Sequence, residues 1–123
     1  MLGKTLTPYE KGRRLERDIA LQMRRKGFKA YRDKKSGAGE VYKADIACPG
    51  FAWSIEAKSQ KTIKYMEWWH QAVTACSSYR RPMLVIEADS GEQLVTVTLN
   101  DFLDLMKQLE EDSQALTELR TRP

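Results

Sequence analysis

Asp45 is followed, after ten intervening residues, by Glu56-Ala57-Lys58, and a turn dipeptide, Pro49-Gly50, lies between them. Side chains alternate across a strand, so Glu56 and Lys58 share one face while Phe51, Trp53, Ile55 and Ala57 share the other, which is the apolar one. If Pro49-Gly50 is a two-residue hairpin loop, Cys48 faces Phe51 and Asp45 faces Ser54. Asp45 then joins the face of Glu56 and Lys58. Two carboxylates brought together repel, which favours a divalent cation between them, and oxygen ligands with a few waters suit Mg²⁺ or Mn²⁺. The lysine can orient a water or stabilise charge developing on a phosphate. The chemistry on offer is metal-assisted phosphodiester hydrolysis. From the hairpin alone, a surface strand carrying a Glu–Lys ion pair of little energetic worth is an equally good reading.

The elements that must hold these residues can be read along the chain. Thr7-Pro8-Tyr9-Glu10 has the form of a capping box with proline at the first helical position, and Gly27 is a stop, giving a helix over roughly residues 8–26. Its buried stripe is Leu15, Ile19 and Met23. Glu16 lies one residue off that stripe, either leaning to the core edge or solvated, while Arg13, Arg14, Arg17, Arg24 and Arg25 point largely outward. Phe28 to Arg32 alternates as a strand. Asp33 to Glu40 is a basic loop of small residues, suited equally to wrapping a phosphate backbone or to plain connection. The hairpin covers Lys43 to Cys48 and Phe51 to Lys58.

Residues 62–76 have helical spacing, with Met66, Trp69, Val73 and Cys76 on one stripe and Trp68 about 100° away. Core packing is the default for both tryptophans. His70, the single histidine, has no metal-spaced partner and reads as structural or exposed. Pro82 to Ala88 is an apolar run of the kind covered on both faces, hence an interior strand. Gln93 to Leu99 alternates, and Thr98 or Asn100 caps a last helix with Phe102, Leu103, Leu105, Met106 and Leu109 inside, reaching about Glu111. Residues 112–123 are polar and either fray or extend that helix. The order αβββαββα describes an α/β fold, a mixed five-stranded sheet flanked by helices, in a single domain over residues 1–123.

The net charge of +4 hides a polarity: residues 1–64 hold 16 Lys and Arg against 7 Asp and Glu, whereas residues 65–123 hold 5 against 10. The basic half is the half with the carboxylates, as a polyanion-binding surface requires. No apolar run approaches 18 residues and the first eight lack the pattern of a secretion signal, so a soluble, cytoplasmic protein is expected. Cys48 and Cys76 sit in apolar patterns without metal-finger spacing and read as reduced, buried small hydrophobes. Zinc and a small-molecule substrate are not expected.

The ordered set Lys11-Gly12, Leu15-Glu16-Arg17, Lys26-Gly27-Phe28, Tyr31-Arg32, Ser36-Gly37, Ala44-Asp45-Ile46 and Ile55-Glu56-Ala57-Lys58-Ser59 resembles the PD-(D/E)XK nuclease superfamily. More narrowly, it is similar to the archaeal-type Holliday junction resolvases and their viral relatives, whose fold is restriction-endonuclease-like. The resemblance implies a homodimer that cuts four-way DNA junctions by Mg²⁺-dependent hydrolysis, each subunit nicking one strand, within host cytoplasm if viral. It implies Glu16, Asp45 and Glu56 as acidic metal-site residues, the Ala57 carbonyl as a further ligand and Lys58 as the catalytic lysine. Arg17 and Arg32 match basic positions beside the site, and Ser36 matches a DNA-handling loop. Arg13, Arg14, Lys34, Lys35, Lys61 and Lys64 complete the expected DNA contacts. The segment from Gln60 onward does not align with the resolvases, so a restriction-like or repair nuclease acting on duplex or single strands remains open, as does a non-catalytic DNA-binding dimer.

Overall fold

The structure, a computed structural model, describes residues 5–32 and 45–122. Helix α1 (Pro8–Arg25) starts where the capping box places it: Thr7 Oγ1 accepts from the Glu10 amide at 3.2 Å, and Glu10 Oε1 accepts from the Thr7 amide at 3.1 Å. It ends at Lys26, with Gly27 at φ +100°, a conformation in which glycine carries no Cβ penalty. Strands β1 (Tyr31–Arg32), β2 (Ile46–Ala47) and β3 (Trp53–Lys58) follow, then helix α2 (Tyr65–Ala75), strands β4 (Arg81–Glu87) and β5 (Gln93–Thr96), and helix α3 (Leu99–Thr121).

The sheet runs β1-β2-β3-β4-β5, antiparallel throughout except between β3 and β4. That one parallel pair needs a crossover, and α2 supplies it. The expected α/β fold, with its mixed five-stranded sheet and helix order, is the one observed.

Both faces of β3 and β4 are covered. Leu15, Ile19 and Ala20 of α1 pack with Ala30, Ile46, Cys48, Ile55, Ala57 and Val85 on one side, while Trp68 and Ala72 of α2 pack with Leu84 and Ile86 on the other. The continuous apolar run of β4 is thus divided residue by residue between two cores.

Two expectations are corrected. On α2 the buried stripe is Trp68 and Ala72; Trp69 is half-buried beside it, and Met66 and Val73 are exposed. Ala72, one turn past Trp68, lets the helix come close to the sheet while the indole fills the space over Leu84. On α3, Thr98 is the cap and the helix continues to Thr121, but no residue of it is buried, Phe102, Leu103, Leu105, Met106 and Leu109 included.

Candidate active site

The hairpin register decides what the carboxylates can do. Ile46 stands opposite Ile55, and the Asp45 amide donates to the Ile55 carbonyl at 3.1 Å, so the next pair along is Asp45 across from Glu56. The two-residue loop would have set Asp45 against Ser54. Cys48 to Phe51 closes a β-turn, with the Phe51 amide on the Cys48 carbonyl at 3.0 Å, Pro49 second and Gly50 third at φ +80°. That is the arrangement of a type II turn, whose twist splays the flanking strands and postpones pairing to Ile46. The register moves by two residues. Because side chains repeat every two, Asp45 stays on the face of Glu56 and Lys58 and comes closer to Glu56.

Asp45, Glu56, Ala57 and Lys58 line a cleft of about 330 Å³ whose other wall is α1, through Pro8, Tyr9, Gly12, Arg13 and Glu16. Those helix positions recur at three- and four-residue steps, one face of α1 directed at the hairpin. Arg32, Ser59 and Gln60 complete the lining.

Asp45 Oδ2 accepts the Ala57 amide at 2.8 Å, which fixes the carboxylate against β3. Burial, then the nearby Glu56 charge, push its pKa up from 3.8 to about 7, although that amide bond pulls the other way. Burial also raises Glu56, with Lys58 opposing it; Lys58 Nζ is 3.7 Å from Glu56 Oε1. Two half-buried carboxylates that resist ionising side by side, with oxygen donors only, have the chemistry that a hard divalent cation takes. This pair fits Mg²⁺ or Mn²⁺. Glu16 lines the same cleft, close enough for its charge to raise both Asp45 and Glu56, while its Oε2 accepts from Arg32 Nε at 2.7 Å, both side chains mostly buried. Among the described residues no three Asp, Glu, His or Cys side chains converge as a ligand set, and the third carboxylate of the cleft is paired with Arg32.

The basic residues divide by environment. The Arg13 guanidinium lies 5.3 Å from the centre of the Tyr9 ring, and its buried Nε has no hydrogen-bond partner among the described residues. Arg14 is bound to Glu87 at the end of β4. Arg17, Lys61 and Lys64 are exposed. Lys34, Lys35 and Ser36 lie outside the described residues.

Tyr9 and Ser59, named in the sequence within the capping box and the Glu56-Ala57-Lys58-Ser59 stretch, line the cleft without having been expected there. Tyr9 was readable from its i to i+4 spacing to Arg13 on the helix the capping box starts. Ser59 was readable only through Glu87, to which its hydroxyl donates at 3.3 Å and which also accepts from Gln93 Nε2 at 3.1 Å. His70 is exposed, on a shallow surface that α2 shares with Glu56.

A family model of phage putative PDDEXK endonucleases matches residues 9–121. The chain belongs to this family. It is therefore a nuclease of the PD-(D/E)XK superfamily with DNA as its substrate. No curated protein and no solved structure matches the chain. The match takes in α1, the hairpin and both later helices of this PDDEXK endonuclease. No helix among the described residues is long and apolar enough to cross a membrane.

Proposed function

We propose that this endonuclease is Mg²⁺-dependent and cuts branched DNA, four-way junctions foremost, as a homodimer in which each copy nicks one strand. The observation that carries the chemistry is Asp45 set across from a half-buried Glu56, with Lys58 3.7 Å from that glutamate in the same cleft. Asp45, Glu56 and the Ala57 carbonyl would hold the ion, with Glu16 completing the set from its pairing with Arg32. When bound, Mg²⁺ supplies Lewis acidity at a phosphate oxygen and lowers the pKa of water; Mn²⁺ substitutes for it. Lys58 orients the attacking water and offsets charge gathering on the phosphate. Arg13, Arg17, Arg32, Lys61 and Lys64 neutralise the backbone without reading bases. The likeness of residues 11–59 to junction resolvases supports the branched substrate, and the phage family accords with their viral relatives.

The test is cleavage of a four-way junction, a flap, a duplex and a single strand with and without Mg²⁺, with Glu56→Ala as control. Paired nicks in the junction, lost by about 10²-fold or more in the variant, are expected. Equal rates on plain duplex would put a restriction-like or repair nuclease in its place, and tight junction binding with no Mg²⁺-dependent product would leave a non-catalytic DNA-binding dimer.

A further inference from the structure

Helix α3 is the longest in the molecule, at 23 residues, and buries none of them. Leu99, Phe102, Leu103, Leu105, Met106, Leu109, Leu116 and Leu119 are between 38% and 72% exposed. Phe102, Leu105, Met106, Leu109 and Leu116 fall within about 100° of the helix circumference, so this is a stripe rather than scattered side chains. Its attachments to the sheet come early: Arg81 Nη1, at the start of β4, reaches Asp101 at 3.1 Å and Asp104 at 2.9 Å. A helix of this kind gains little from propensity alone and depends on covering its apolar face.

We propose that α3 is the seam of a homodimer, packed antiparallel against α3 of a second copy. This rests on the homodimer of the proposed function and goes beyond it in naming the seam, its direction and its register; it does not depend on the cleavage chemistry.

Three observations select that occupant. Phe102, Leu105, Leu109, Leu116 and Leu119 follow the alternating three- and four-residue spacing of a two-helix seam, broken only at Asp112. Phe102, Leu105, Met106, Leu109, Leu116 and Leu119 together expose on the order of 600 Å², a large part of the roughly 800 Å² each partner contributes to a standard interface. Charge then sets direction. Residues 99–112 carry five acids against Lys107, whereas residues 113–122 carry Glu118 against Arg120 and Arg122. A parallel pair stacks all five acids on their counterparts; the antiparallel pair turns Asp101 and Asp104 toward the other copy's Arg120 and Arg122 and leaves only Glu110, Glu111 and Asp112 near their own counterparts at the axis. Leu105 then faces Leu116, Phe102 faces Leu119, and Asp112 meets Leu109 near the two-fold axis.

The position suits a nuclease with two sites. Arg81 begins β4 opposite Trp53, while Lys58 stands opposite Ile86 at the other end, about 17 Å along the strand. The first turn of α3 is fixed at the Arg81 end, and no residue of α3 lines the cleft.

Sedimentation equilibrium of the full chain at high-micromolar concentration should give twice the 14.2 kDa chain mass. Leu105→Glu with Leu109→Glu should give the single mass, and Asp112→Leu, which removes the one charge from the seam, should tighten the dimer about tenfold or more. For direction, in a Cys76→Ser background, Leu105→Cys protein mixed with Leu116→Cys protein should cross-link between copies, whereas Leu105→Cys alone should not. A wild-type chain that stays at the single mass, or Leu105→Cys linking to itself, overturns the proposal. The same measurement on Glu56→Ala, which should dimerise like the wild type, separates this outcome from failure of the nuclease assay.

Discussion

In Asp45 the surroundings that oppose stability are the ones proposed to serve chemistry. Its pKa stands near 7 because of burial and then the Glu56 charge, well above the 3.8 of a free aspartate. A carboxyl raised on folding binds protons more tightly in the native state, so its contribution is complete below about pH 3.8 and is lost as pH climbs through about 7. In EDTA, urea unfolding should therefore report a fold weaker at pH 8 than at pH 5 by on the order of 2 kcal/mol. Asp45→Asn should flatten that slope and be the more stable protein at pH 8 without metal. Cleavage by the variant should nevertheless fall by about 10²-fold or more. With Mg²⁺ added at pH 8 the wild type should recover stability, since an ion that binds only the native pair shifts the equilibrium toward it. A flat wild-type pH profile in EDTA would remove the physical case for a metal at this pair.

At the scale of elements, Glu87 is the link between the helix wall of the cleft and the strand that carries Lys58. It is buried at the end of β4 and gathers Arg14 from α1, Ser59 from the residue after Lys58 and Gln93 from β5. Burial raises its pKa, but these donors, Arg14 first among them, outweigh burial and hold it below the ordinary 4.5. Glu87→Ala strands three donors and should cost about 2–4 kcal/mol in chemical denaturation, with Glu87→Gln costing less. Nothing in the sequence points to this link, because Arg14 and Glu87 are 73 residues apart and neither sits in a motif. The hairpin was legible for the opposite reason: parity alone places Asp45 with Glu56 and Lys58, and parity survives a two-residue change of register. Helix α2 was half legible. Adjacent tryptophans leave the choice of buried stripe to the partner surface, and Ala72 made that choice for Trp68. For α3 the apolar periodicity was read correctly and the cover was not, since a stripe records that something must bury it and not which chain does.

The whole molecule is polarised, with an excess of nine basic residues over residues 1–64 and of five acidic residues over residues 65–123. Arg13, Arg32 and Lys58 of the basic half line the cleft, and no residue of the acidic α3 does. Acid at a distance keeps DNA off the surfaces that do not cut, and base beside the cleft attracts any phosphate backbone regardless of sequence. Junction binding measured by anisotropy with Ca²⁺ in place of Mg²⁺ should therefore weaken steeply with salt. If roughly four to six phosphates are neutralised, the slope of log K against log salt is about −4 to −5. Arg17→Ala and Lys61→Ala should each make that slope shallower by about one and weaken binding equally for unrelated sequences, leaving single-turnover cleavage at saturating protein little changed. Asp45→Asn should do the reverse, leaving the salt slope intact while cleavage is lost. A salt slope near zero would mean that the basic half is ordinary solvated surface and that DNA is held by something other than its charge.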